Sequence, residues 1–139
     1  MNSGVGPRFD LRRVHRAAAE GRVVSGGARY KERLLPLLGQ LTRMHEFACA
    51  VLLELVPDDF IGPERYSGGT WMDAYGVAIS DALQERFGIE GFVTWYVKFT
   101  VDEDDEGQPV IMASLHGPEH PLKRIGGTIP VRFSRRNTR

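Results

Sequence analysis

Two neighbouring stretches of the chain place a phenol, an ammonium, a hydroxyl and an imidazole at alternate positions: Tyr96 and Lys98 in the first, Ser114 and His116 in the second. Together these groups suit phosphoryl chemistry without a metal. An imidazole gives or takes a proton at neutral pH. An ammonium offers compact positive charge to a non-bridging phosphate oxygen. A tyrosine hydroxyl orients a bound group, and its ring stacks a base. For the groups to act together, they must share one face of one element or of two paired elements.

The elements that would position them read as a β-hairpin. Residues 92–101 are rich in β-branched and aromatic side chains, a strand signal, and residues 109–116 form a second strand after the acidic loop at 102–107. Strand side chains alternate between faces. Val93, Trp95, Val97, Phe99 and Val101 then make an apolar face for the core, and Thr94, Tyr96, Lys98 and Thr100 make the polar one. On the partner strand, Ile111, Ala113 and Leu115 are apolar, while Ser114 and His116 share the other face with Val110 and Met112. If the turn centres on Glu106, Tyr96 opposes His116, Lys98 opposes Ser114 and Thr100 opposes Met112. Directly opposed Cβ atoms lie about 4.5–5.5 Å apart, so the cluster closes. An odd slip in register would break it and bury the polar set.

Upstream, the pattern is helical. Residues 9–20 read as a helix capped by Asp10, with Leu11, Val14 and Ala18 on one stripe and Gly21 at its end. A short strand at 22–24 follows. Residues 28–38 are helical in composition, with Pro36 expected to kink or end them. Residues 40–55 carry Leu41, Met44, Ala48, Val51, Leu52 and Leu55 at helical spacing, with Cys49 packed among them. Past Pro57, residues 58–61 open a short strand or turn. Residues 71–79 read as a strand and 82–87 as a short helix with Ser80 or Asp81 as cap and Gly88 as stop. A third short strand is expected at 128–133. Helices first and strands later give an α+β fold: N-terminal helices packed on a small antiparallel sheet, as one domain over 1–134, with a basic tail at 135–139.

The 139 residues, 42% apolar and 26% charged, suit one soluble globular domain. The single cysteine excludes a disulfide framework, and no apolar run reaches the roughly 20 residues that span a bilayer. No secretory h-region is visible at residues 1–7, so a cytoplasmic location is expected. Net charge is zero but unevenly spread. Residues 1–46 carry 9 Lys+Arg against 4 Asp+Glu, residues 47–107 carry 3 against 13, and residues 108–139 carry 6 against 1. The basic ends could form one positive surface for a polyanion, with the acidic run 102–106 at a hairpin tip pointing away from it. The run from His116 through Glu119 to His120 has metal-ligand types close together. However, Gly117-Pro118 prevents helical convergence and no third ligand is evident, so neither a metal nor a cofactor is expected.

Four ordered stretches carry a family resemblance. They are Leu11-Arg-Arg-Val14 with Gly21-Arg-Val23; Leu55-Val-Pro-Asp-Asp59-Phe60; Tyr66-Ser67 with Thr70-Trp71-Met-Asp73-Ala-Tyr75; and Tyr96-Val-Lys98-Phe-Thr100-Val101 with Met112-Ala-Ser114-Leu-His116. In that order the chain resembles the MqsR-like toxins of the wider RelE-like ribonuclease group. The resemblance implies a two-layer α+β domain that cuts mRNA and is held in check by a cognate antitoxin. It matches the family's strand tyrosine to Tyr96. It matches the basic residue ending the last core strand to His116, where better-known members carry lysine. Met72 stands in place of a glutamine, and a family lysine has no clear match, Arg65 being the nearest cation. The expectation is therefore a metal-independent endoribonuclease toxin of a type II toxin–antitoxin system, with His116, Tyr96 and Lys98 as catalytic residues. RNA contacts are expected from Arg65, Tyr66, Trp71, Tyr75 and Arg124. The alternative is a non-catalytic domain of toxin-like fold that binds RNA or a partner protein.

Overall fold

The computed structural model describes residues 6–26, 28–66, 68–102, 104–105 and 107–133. The expected turn centre Glu106, the tail 135–139 and the extreme N-terminus lie outside the described residues.

Helix α1, Leu11–Ala19, starts where the Asp10 carboxylate accepts the Arg12 N–H at 2.9 Å, satisfying one of the open donors of the first turn. It buries Val14, Ala17 and Ala18 and stops before Gly21, whose φ of +73° suits a residue without a Cβ. Strand β1, Val23–Ser25, leads into helix α2, Ala28–Leu38. Pro36 does not end α2 as expected: the helix runs two residues further and closes at Gly39, whose N–H reaches Leu35 O at 2.7 Å. Helix α3, Leu41–Glu54, buries Met44, Phe47, Ala48, Ala50, Val51 and Leu52. A 3-10 turn at Pro57–Asp59 opens strand β2, Phe60–Arg65, followed by β3, Trp71–Ala78. Helix α4, Asp81–Phe87, is capped by the Ser80 hydroxyl, which accepts the Leu83 N–H. Strands β4, Thr94–Thr100, and β5, Val110–His116, complete the sheet.

The architecture is α+β, with four helices and a five-stranded open sheet among the described residues, in the order β1-β5-β4-β3-β2. The sheet is mixed, which corrects the antiparallel expectation: β1 pairs parallel to β5, and the other neighbours are antiparallel. Parallel neighbours need a long crossover, and helices α2, α3 and α4 with strands β2, β3 and β4 lie between β1 and β5 in sequence. The third strand expected at 128–133 is also corrected. That segment makes only isolated bridges, Leu122 to Ile129 and Phe92 to Phe133.

The helices pack on one face of the sheet. There the Phe47 ring meets Phe87 edge-on at 5.3 Å and Trp95 at 5.0 Å, and Tyr75 stacks on Phe99 at 5.6 Å. The segment 117–133 straps the opposite face. The Thr94 hydroxyl donates to Pro130 O at 2.8 Å, and the Phe92 and Phe133 rings lie 4.8 Å apart. Leu122 lies so close over Gly76 that a Cβ there would sit 2.8 Å from Leu122 Cδ1. Among the described residues no helix is long and apolar enough to cross a membrane.

Register on the hairpin is the expected one at its open end. Tyr96 opposes His116 and Lys98 opposes Ser114. Between Lys98 and Phe99 a bulge intervenes, so Phe99 opposes Met112 and Thr100 opposes Ile111. The extra residue, Ala113, reverses the parity of β5 beyond it. Val110 and Met112 are therefore buried on the core side and Ile111 is exposed, the reverse of the regular alternation expected for them.

Candidate functional site

The face of the sheet away from the helices carries the cluster. The Tyr96 and His116 rings lie side by side on adjacent strands, centroids 5.4 Å apart and tilted by 34°. Lys98 follows Tyr96 on the same face of β4. On β3 the residues opposite Tyr96 and Lys98 are Gly76 and Ala74. Because neither has a bulky side chain, Glu64 reaches from edge strand β2 across β3 to β4. Its Oε2 accepts a hydrogen bond from the Tyr96 hydroxyl at 3.1 Å and lies 3.4 Å from Lys98 Nζ. The Tyr66 ring closes over the same ammonium, its centroid 4.8 Å from Nζ. Glu64 and Tyr66 thus leave only 12% of the Lys98 side chain exposed.

Protonation follows from these contacts. His116 Nδ1 donates to Gly117 O at 2.9 Å. A carbonyl can only accept, so a neutral ring carries its proton on Nδ1 and its basic nitrogen is Nε2. Burial, together with the adjacent Glu64 carboxylate, pushes the Tyr96 phenol well above its ordinary value, so it stays a neutral donor through neutral pH. For Lys98, burial works against the charge, but the Tyr66 hydroxyl and the Glu64 carboxylate outweigh it and raise its value. The site therefore presents a fixed cation, a neutral phenol and an imidazole able to transfer a proton, with a carboxylate seated among them.

The residues expected to contact RNA divide between the two faces. Tyr66 is exposed and belongs to the cluster. Arg65 and Trp71 oppose each other in register, in phase with Asp73 and Tyr75 on the helix-facing side of the sheet. Arg65 and Arg8 flank the Trp71 ring, at 5.6 Å and 4.4 Å. These two residues therefore sit behind the sheet from Tyr96 and His116, because pleating sends alternate residues to opposite faces. Tyr75 is fully buried between Phe60 and Phe99 and cannot touch RNA, which corrects that expectation. Buried Asp73 accepts the N–H groups of Arg8 and Phe9 at 3.0 and 2.9 Å, tying the N-terminal segment to the same face.

Arg124, expected to contact RNA, makes a structural tie. Its guanidinium pairs with Asp59 at 2.6 Å and donates to Gly76 O at 3.2 Å, fastening the C-terminal strap to the 3-10 turn and β3. Burial raises the Asp59 carboxyl above its ordinary value, although the Val56 N–H and, less strongly, Arg124 favour the charged form. Arg124→Met is expected to cost about 2 kcal/mol of stability, less than a fully enclosed pair, and to leave RNA affinity unchanged. Denaturant melts and fluorescence-anisotropy titrations check the two halves.

The acidic hairpin tip is drawn to the helix side. The Arg13 guanidinium of α1 donates to the carbonyls of Asp102 and Asp105. Asp104→Asn with Asp105→Asn is accordingly expected to change RNA affinity less than about twofold; a large gain would show that the tip borders the RNA.

Sequence reasoning missed Glu64. It lies beyond Gly62-Pro63, which read as the end of a strand, and Pro63 is tolerated because β2 is an edge strand. The available signal was its phase: with β2 extended to Arg65, Glu64 falls on the Gly62 face. Among the described residues no group of three or more His, Cys, Asp or Glu side chains gathers to hold a metal ion. Comparison with models of known protein families and with curated protein sequences found no match.

Proposed function

We propose that the chain is a metal-independent endoribonuclease of RelE-like two-layer type, the toxin of a toxin–antitoxin pair, and that it cuts mRNA at the Tyr96–Lys98–His116 face. The observation that carries the reading is the juxtaposition of the Tyr96 and His116 rings beside the Lys98 ammonium on a sheet face that no helix covers. In the proposed reaction the substrate 2′-OH attacks the adjacent phosphorus. The 5′-oxygen of the next nucleotide leaves with a proton, giving a 2′,3′-cyclic phosphate and a 5′-OH. His116 transfers a proton through Nε2, Tyr96 donates to a phosphate oxygen or stacks a base, and Lys98 stabilises the pentavalent phosphorane. A cognate antitoxin would silence the enzyme by covering this face. A cytoplasmic site of action belongs to the same proposal.

The test is cleavage of a defined single-stranded RNA by purified protein in excess EDTA, with the product ends identified. Fragments carrying a cyclic phosphate and a 5′-OH support the reading. RNA binding without cleavage would move it to a non-catalytic RNA-binding domain. Products with a 5′-phosphate would exclude attack by the 2′-OH.

A further inference from the structure

The Glu64 carboxylate is held by two donors of a neighbouring element. Two donors from β4, the Tyr96 hydroxyl at 3.1 Å and Lys98 Nζ at 3.4 Å, converge on the single oxygen Oε2. A phenol O–H and an ammonium meeting at one oxygen are the donor set that also suits a non-bridging phosphate oxygen. Glu64 itself arrives from a different strand, reaching across the small residues Ala74 and Gly76, and its side chain is about half exposed. Lys98 is the reverse, a charge nearly enclosed by Glu64 and the Tyr66 ring, both of which come from the end of β2 and the residue after it. The receptor belongs to the interior strand, and the group filling it belongs to the edge.

We propose that Tyr96 and Lys98 form a phosphate receptor whose resident anion is Glu64, and that a phosphodiester binds by displacing that carboxylate. The identity of the phosphate as part of an RNA strand rests on the proposed function; the displacement does not. Glu64 is then a gate on the site. It keeps Lys98 charged and in place while the site is empty, and it sets the affinity an incoming phosphate must exceed. A phosphate and a carboxylate at one ammonium repel each other, so phosphate binding and the Glu64–Lys98 pair compete.

The experiment uses the full chain and inorganic phosphate as probe, followed by the NMR shifts of the His116 and Tyr96 ring protons. Glu64→Gln keeps the size of the side chain and removes the charge. It is expected to bind phosphate about fivefold or more tighter than the unaltered chain. That gain is expected to vanish when Lys98→Met is added to it, with thermal melts confirming that both variants fold. Equal affinity in Glu64→Gln and the unaltered chain overturns the proposal. So does a gain that survives Lys98→Met, since it would then be a long-range charge effect. Cleavage of single-stranded RNA is measured in parallel. Loss of cleavage in Glu64→Gln without tighter phosphate binding would make Glu64 a proton acceptor in the reaction and overturn the gate. Tighter phosphate binding with no RNA cleavage by either protein would support the receptor and count against the ribonuclease reading alone.

Discussion

His116→Ala is expected to slow RNA cleavage by about 10²–10⁴-fold, the usual worth of a general acid or base. Burial and Glu64 hold Tyr96 protonated and Lys98 is held charged, so the imidazole is the group of the cluster assigned the proton transfer. The loss should therefore fall on the chemical step rather than on binding. Single-turnover rates at saturating protein would drop while the RNA dissociation constant stays within a few-fold. The fold should tolerate the change. The half-buried ring's hydrogen bond to its neighbour's carbonyl and its contact with Tyr96 are together worth about 1 kcal/mol. A loss of cleavage under tenfold would remove His116 from the reaction. A comparable loss in unfolding free energy and in activity would instead assign the residue to packing.

Phe47→Ala is expected to destabilise the fold by about 3–5 kcal/mol and to lower the melting temperature by roughly 10 °C or more. The ring is fully buried and makes edge contacts with Phe87 of α4 and Trp95 of β4, so its removal leaves a hole where two helices meet the sheet. Trp95 immediately precedes Tyr96, on the other face of the same strand. Phe47 therefore supports from behind the strand that carries the phenol and the ammonium. Calorimetry gives the stability change. Cleavage at a temperature where the variant is still folded shows whether β4 holds its position without that support, with a loss of activity below the melting range as the expected sign.

Much of the site was legible because one strand is unusually regular. Trp95, Val97 and Phe99 alternate with Tyr96, Lys98 and Thr100, so the core face and the open face of β4 follow from sequence alone. The pairing of Tyr96 with His116 then needed only the centre of the turn. Beyond Lys98 the same arithmetic failed, because Ala113 is an added residue that alternation cannot announce, and Val110 and Met112 turned inward. The RNA-contact expectations failed for a related reason. Aromatic and basic residue types near one another were assigned to one surface, yet Trp71 and Tyr75 fall in the helix-facing phase of β3. Glu64 was hidden by Gly62 and Pro63, which signal a break in an interior strand but are tolerated at an edge. The parallel pairing of β1 with β5 carries no local signature, because each strand is compatible with either direction.

That pairing has a consequence for when the site exists at all. Val23, near the beginning of the chain, is matched to Val110, and His116 stands at the far end of the same strand β5. The Thr94 hydroxyl is tied to Pro130, later still. Contacts of such long sequence separation form slowly and late, and a chain growing from its N-terminus cannot make them until most of it has emerged. A nascent chain would carry Tyr96 and Lys98 long before it held His116 beside them. The Tyr96–Lys98–His116 cluster thus assembles only once β5 has been made and has found both β4 and β1.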